Sequence, residues 1–223
     1  MVRETRHTPD LRCRGFSLIE LLIVVGLICI FSAIALPQMI AQRRLSRSIG
    51  VTREIMSQMR YARQLAMSER KAFTFCYDNV NKQITIIDHN NLRTDPNSGK
   101  AVLTLANYPN TAGSTIVATY PLSQGGLDSS EVTYGIPTGL PTVALGDQVT
   151  LTALTNNRLN ITFQRDGSVI NSSGTVSDRN PQDTALFIYN SRVPAATASA
   201  ISVLGASGRV KIWRYNNVNR YAE

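Results

Sequence analysis

The sequence predicts an α+β fold in which a long N-terminal helix lies across an antiparallel β-sheet domain. Residues 16–36 read FSLIELLIVVGLICIFSAIAL, an apolar run broken by one charge, Glu20. Residues 38–71 continue without proline and place apolar side chains three, four or seven apart. After Lys71 the pattern becomes short alternating segments separated by Asn, Gly, Pro and Ser, the mark of strands and turns.

Composition sets the bounds. The chain has 223 residues, 43% hydrophobic and only 17% charged, with 23 Lys and Arg against 15 Asp and Glu, a net charge of +8 and a pI near 9.8. Too much can be buried and too little is charged for a disordered tail, and the basic excess permits an anionic partner without demanding one. Three cysteines exclude a disulfide scaffold. Two histidines at unrelated positions, His7 and His89, argue against a histidine metal centre or catalytic site.

The apolar run, as a helix, is long enough to cross a hydrocarbon core of ~30 Å. Arg3, Arg6, Arg12 and Arg14 precede it, and Arg43, Arg44 and Arg47 follow it, so flanking charge decides its orientation poorly. A plain signal anchor fits. So does a signal peptide cut after Ala33-Ile34-Ala35, a small-x-small site. Glu20 suggests a third reading. A carboxylate inside an apolar span costs at least ~2.5 kcal/mol and needs a partner, and none lies within the run. A positive group from another chain would serve, such as a new N-terminal amine at Phe16.

Arg14-Gly15-Phe16-Ser17-Leu18-Ile19-Glu20 and the apolar stretch to Pro37 resemble the prepilin leader of type IV pilins and type II secretion pseudopilins. The resemblance implies that residues 1–15 are a leader removed by prepilin peptidase after Gly15. Phe16 is then the N-methylated mature terminus, Glu20 the assembly glutamate, residues 16–37 the transmembrane and filament-core helix, and Pro37 its kink. It also implies a bacterial inner-membrane protein with a single span, its C-terminal domain extracytoplasmic. Implied partners are other pilins, the inner-membrane assembly platform, and lipid before assembly. On that topology only Cys76 lies outside the membrane, and no intramolecular disulfide is expected.

In residues 38–71, Ile40, Ile49, Ile55, Met56, Met59, Ala62, Leu65 and Ala66 outline a buried stripe. Arg47, Arg53, Arg60, Arg63, Glu69 and Arg70 occupy the opposite, solvated side. Residues 72–223 form the β-rich domain. Strands are expected at residues 72–77, 83–87, 101–106, 115–120, 149–154, 159–163, 185–189, 201–204 and 210–215, with no second helix. Asp78-Asn79-Val80-Asn81 makes the first hairpin turn, and Asp166-Gly167 a tight turn into Val169-Ile170. Residues 121–147 and 171–183 read as long loops. Met59 to Ala66, Phe73 to Cys76, and Asn160 to Phe163 with Asp166-Gly167 resemble segments of the GspH/FimT family of minor pilins and pseudopilins. Residues 88–157 exceed what that family needs.

Chemistry finds little support. His89 sits in a polar stretch, His89-Asn90-Asn91, and is expected to be a solvated turn residue. Cys76 is expected to be a small buried thiol in a strand. Asp95-Pro96-Asn97-Ser98-Gly99 has oxygen ligands but reads as a turn, and no His or Cys spacing suits zinc. No metal, cofactor or enzymatic activity is expected. The C-terminal segment is more informative. Alternation from Arg209 to Tyr215 turns Val210 and Ile212 to the core and Arg209, Lys211 and Trp213 to the other face, with Arg220 nearby in sequence. Two cations beside an indole suit phosphates and a stacked base. The segment resembles the Gly-Arg-x-Arg tail of FimT-type pilins that bind DNA, with Lys211 at the last position. The bland alternative is an edge strand whose charges prevent sheet-to-sheet aggregation.

Overall fold

A computed structural model describes residues 17–89, 114–123, 129–140, 145–170, 181–216 and 221–222. Helix α1 runs Leu18–Glu69, with Pro37 inside it. Strands β1 (Phe73–Asp78), β2 (Gln83–Asp88) and β3 (Thr115–Pro121) follow, then a 3-10 turn at Ser129–Glu131 and β4 (Val132–Tyr134). Next come β5 (Arg158–Phe163), β6 (Val169–Ile170), β7 (Thr184–Asn190), the single-turn helix α2 (Pro194–Thr197), β8 (Ser199–Leu204), β9 (Arg209–Tyr215) and β10 (Tyr221–Ala222). The chain divides into two units, residues 1–41 and residues 42–223.

Among the described residues of the second unit the strands form two five-stranded antiparallel sheets, β3-β2-β1-β5-β6 and β10-β9-β8-β7-β4. Register explains the first core face. Phe75 stands opposite Ile86 on one side and Ile161 on the other, and Tyr77 stands opposite Ile84 and Leu159. These side chains share one face because side chains alternate along a strand. Val51, Ile55, Met59, Ala62 and Ala66 of α1 pack against them and against Leu186, Ile188, Ile201, Val203 and Val210 of the second sheet. Truncating a fully buried side chain such as Ile55 to alanine costs roughly 2–5 kcal/mol.

The buried helix face is turned slightly from the expected stripe. Ser48, Val51, Thr52 and Gln58 are buried, Met56 and Leu65 only flank the core, and Ile40 is exposed. Polar residues belong to the face because the second sheet supplies partners. Thr52 Oγ1 lies 3.0 Å from Ser199 Oγ, and Asn190 Nδ2 donates to Ser48 Oγ at 3.3 Å. Arg70, in a left-handed conformation at φ 55°, takes the position just past the helix end where glycine is usual.

The first hairpin is held by Asp78, which is buried. Its Oδ1 accepts from Val80 N and Asn81 N at 2.9 Å each, and its Oδ2 accepts from Arg158 Nε at 3.0 Å. Burial alone would raise this carboxyl, but those bonds outweigh burial and hold it below the ordinary carboxylate range. The Asp166-Gly167 turn forms as expected, with Gly167 at φ +81° and Asp166 Oδ1 accepting from Ser168 N.

Three expectations need correction. Residues 149–154 are not a strand. Thr152 N donates to Ala185 O, but Ala185 N turns to the Thr152 hydroxyl, so a side chain takes the place of the ladder. The interval 121–147 contains β4, which at three residues is too short to show alternation. A second helix exists in α2, whose four residues are too few for a hydrophobic period. The expected strand at 101–106, the Asp95–Gly99 turn and most of the 171–183 loop lie outside the described residues.

Candidate functional sites

At the N-terminal site, Gly15 and Phe16 lie outside the described residues. The helix opens with Leu21 N donating to Ser17 O at 3.1 Å, which places Glu20 in the first turn, where a carboxylate suits the helix dipole. Glu20 is exposed, and so are the apolar side chains on either side of it, from Leu18 at 81% to Ile40 at 51%. The helix is long and apolar enough to cross a membrane, with a stretch of mean hydropathy 2.8. Pro37 has no N–H, so the Ala33 carbonyl loses its usual helical donor.

The C-terminal site is built on β9. Alternation holds on the core side, where Val210 is buried and Ile212 packs against the main core. The other face is not open. Trp213 is only 6% exposed, packed with Leu145, Val149, Phe187 and Tyr221. Its indole N–H donates to Ser202 Oγ at 2.8 Å, and that hydroxyl bonds to the Asp147 carboxylate. Gly146 lies so close that a Cβ there would meet the indole ring at 2.9 Å. Residues 145–149 therefore cover this face, and Trp213 is not available to stack a base, contrary to the sequence expectation. Lys211 Nζ sits 5.0 Å from the indole centroid, a cation–π contact that caps the ring. Arg209 remains exposed, and Arg220 lies outside the described residues. β10 pairs only with Arg214 and Tyr215, so most of the outer edge of β9 has no strand partner among the described residues.

Two helix arginines expected to be solvated instead join the sheets. Arg63 Nη2 donates to Ser207 O at 3.0 Å and its Nε to Gly167 O at 3.4 Å, while Arg60 Nη2 donates to Val210 O at 3.4 Å. One guanidinium thus reaches the β5–β6 turn and the β8–β9 turn together, which a forked donor can do. The turns meet closely. Gly208 has φ +60°, and a Cβ on it would lie 1.8 Å from Gly167 O. Val169 N also donates to Gly205 O at 2.7 Å.

His89 overturns its expectation. It is 1% exposed, with Nε2 2.7 Å from Thr74 Oγ1, which in turn lies 2.7 Å from Thr162 Oγ1. Burial pushes its pKa down to about 4, against an opposing pull from Asp88. Its place beside the last residue of β2 was hidden by the Asn90-Asn91 that follows it. Cys76 is buried in β1, as expected. Among the described residues no group of three or more His, Cys, Asp or Glu side chains could hold a metal ion.

Residues 10–36 match the prokaryotic N-terminal methylation motif. No curated protein matches the chain. Two crystal forms of the type IV minor pilin FimU from Pseudomonas aeruginosa strain PAO1 align at 15% and 14% identity with TM-scores of 0.40 and 0.39. They cover 73% of this chain and 85% and 90% of theirs. At that level of likeness the architecture stands on the contacts described above. The methylation motif thus stands at the head of a long apolar helix, and further along that helix packs on two antiparallel sheets.

Proposed function

We propose that the chain is a minor pilin or pseudopilin, cut by prepilin peptidase between Gly15 and Phe16, methylated on the Phe16 amine, and assembled into a type IV pilus or type II secretion pseudopilus. The observation that carries this reading is the methylation motif running directly into a helix whose apolar residues stay exposed from Leu18 to Ile40. Such a surface belongs in lipid first and against other helices afterwards. The role is structural. Before assembly the helix is a single span of the bacterial inner membrane, the C-terminal domain is extracytoplasmic, and the assembly platform and other pilins are partners. Glu20 would leave the bilayer paired with the Phe16 amine of a neighbouring copy, since a desolvated carboxylate needs a cation. Pro37 would bend the rod near the end of the apolar run. Intact mass after co-expression with a prepilin peptidase tests the processing. Loss of residues 1–15 with gain of one methyl group is expected, and cleavage after Ala35 would overturn the reading. Glu20→Ala should still insert in membranes and fail to enter filaments.

A second reading, DNA contact during uptake, is favoured by the exposed Arg209 beside Lys211 on β9, whose outer edge is largely without a strand partner among the described residues. Binding through them would weaken by about one log unit of affinity per log unit of salt for each phosphate contact. Duplex DNA titrated against the chain and its Arg209→Ala/Lys211→Ala variant at two salt concentrations decides it. Salt-insensitive affinity, or affinity unchanged in the variant, would remove this reading.

A further inference from the structure

Arg43, Arg44 and Arg47 follow the apolar run, and the assembly reading gives them no task. The fold brings a fourth arginine to them from far along the chain. Arg192, in the turn after β7, places Nε 2.8 Å from Glu131 Oε1, and Arg44 Nε lies 4.0 Å from the same oxygen. Asn190 Nδ2 donates to Glu131 Oε2 at 3.0 Å. Glu131, with its side chain 13% exposed, thus pins the β7 turn beside the first turns of α1 in the second unit. One carboxylate cannot neutralise this group. The Arg192 side chain is 62% exposed and that of Arg44 35%, and Arg43 is exposed. Arg47 is exposed too and has other contacts. The next acidic residue along the helix, Glu54, accepts from Gln58 Nε2 at 2.7 Å.

Position selects the partner. Arg43 comes seven residues after Leu36, the end of the apolar run, in the same helix, about 10 Å along its axis at 1.5 Å per residue. When the apolar run fills the hydrocarbon core, Arg43 and Arg44 stand at the outer margin of the headgroup layer, within reach of phosphates for a long arginine side chain, and Arg192 is held beside Arg44. A planar guanidinium is a fork donor suited to phosphate, and anionic leaflets attract basic groups at this depth. We propose that Arg43, Arg44 and Arg192 form a collar that binds the phosphates of anionic lipid headgroups while the chain is in the bilayer. Glu131 acts as the positioning residue that adds Arg192 to the collar. This rests on the membrane-anchored reading above.

The test uses the full chain in nanodiscs of phosphatidylcholine alone or with added phosphatidylglycerol, read by amide hydrogen exchange over residues 42–52 and 188–198. Exchange should be several-fold slower with phosphatidylglycerol. High salt should erase the difference because it screens exposed charge. Arg43→Gln/Arg192→Gln should erase it too, while exchange in β1 and β8 stays unchanged. Arg43→Gln alone leaves the Glu131 contacts intact and should remove part of the effect. Incorporation into both discs with equal exchange overturns the collar and leaves the anchor standing. Incorporation into neither overturns the anchor and the collar together. Slowing that survives salt and both variants, or that follows the number of copies per disc instead of the lipid, also overturns it.

Discussion

Acidification from about pH 7.5 to about pH 5 should destabilise the globular unit through His89 in particular. Outside the fold a histidine binds a proton near 6.5, whereas burial lowers His89 to about 4. Between those values the unfolded chain holds one proton more than the native one, so stability rises with pH across the window and falls on acidification. The gap gives a loss of about 2 kcal/mol over that pH change. Asp88 opposes the shift, and Lys71 Nζ, 3.4 Å from Asp88 Oδ2, offsets part of its charge. Urea unfolding of residues 42–223 at both pH values, in the parent and in His89→Gln, isolates the histidine from carboxylates common to both. The parent should lose about 2 kcal/mol more than the variant. Equal losses would show that His89 protonates as readily in the fold as out of it, and the burial argument would be wrong.

Other outcomes follow from the two-sheet packing. Gly208→Ala forces a Cβ toward Gly167 O in a left-handed backbone, and should cost roughly 3 kcal/mol or prevent folding, read by thermal unfolding. Trp213→Ala should cost roughly 3–5 kcal/mol while Arg209→Ala stays within about 0.5 kcal/mol. The single tryptophan should also emit at short wavelength and resist acrylamide quenching, and strong quenching would contradict its cover by residues 145–149. Arg63→Ala should cost about 1–3 kcal/mol by abandoning the Ser207 and Gly167 carbonyls. Unchanged stability in urea would mean water replaces the guanidinium without loss.

Local patterns were legible because their causes are local. The methylation motif over residues 10–36 is read residue by residue, the apolar run needs only its length, and the Asp78 and Asp166-Gly167 turns use neighbours in the chain. Alternation assigned Val210 and Ile212 to the core side for the same reason. It could not say what lies over the opposite face. Trp213 was grouped correctly with Arg209 and Lys211, yet a segment more than sixty residues earlier covers the indole and leaves Arg209 exposed.

The sequence by itself determined which residues form the long helix, where most of the longer strands lie, and where the methylation motif stands. Tertiary structure decided the rest: that Arg63 joins the turns of two sheets while Arg60 bonds to β9, that His89 is buried beside Thr74, and that Arg192 reaches Glu131 next to Arg44. The physical reason is that periodicity reports which side chains share a face, whereas burial and charge pairing depend on the distant segment that meets that face.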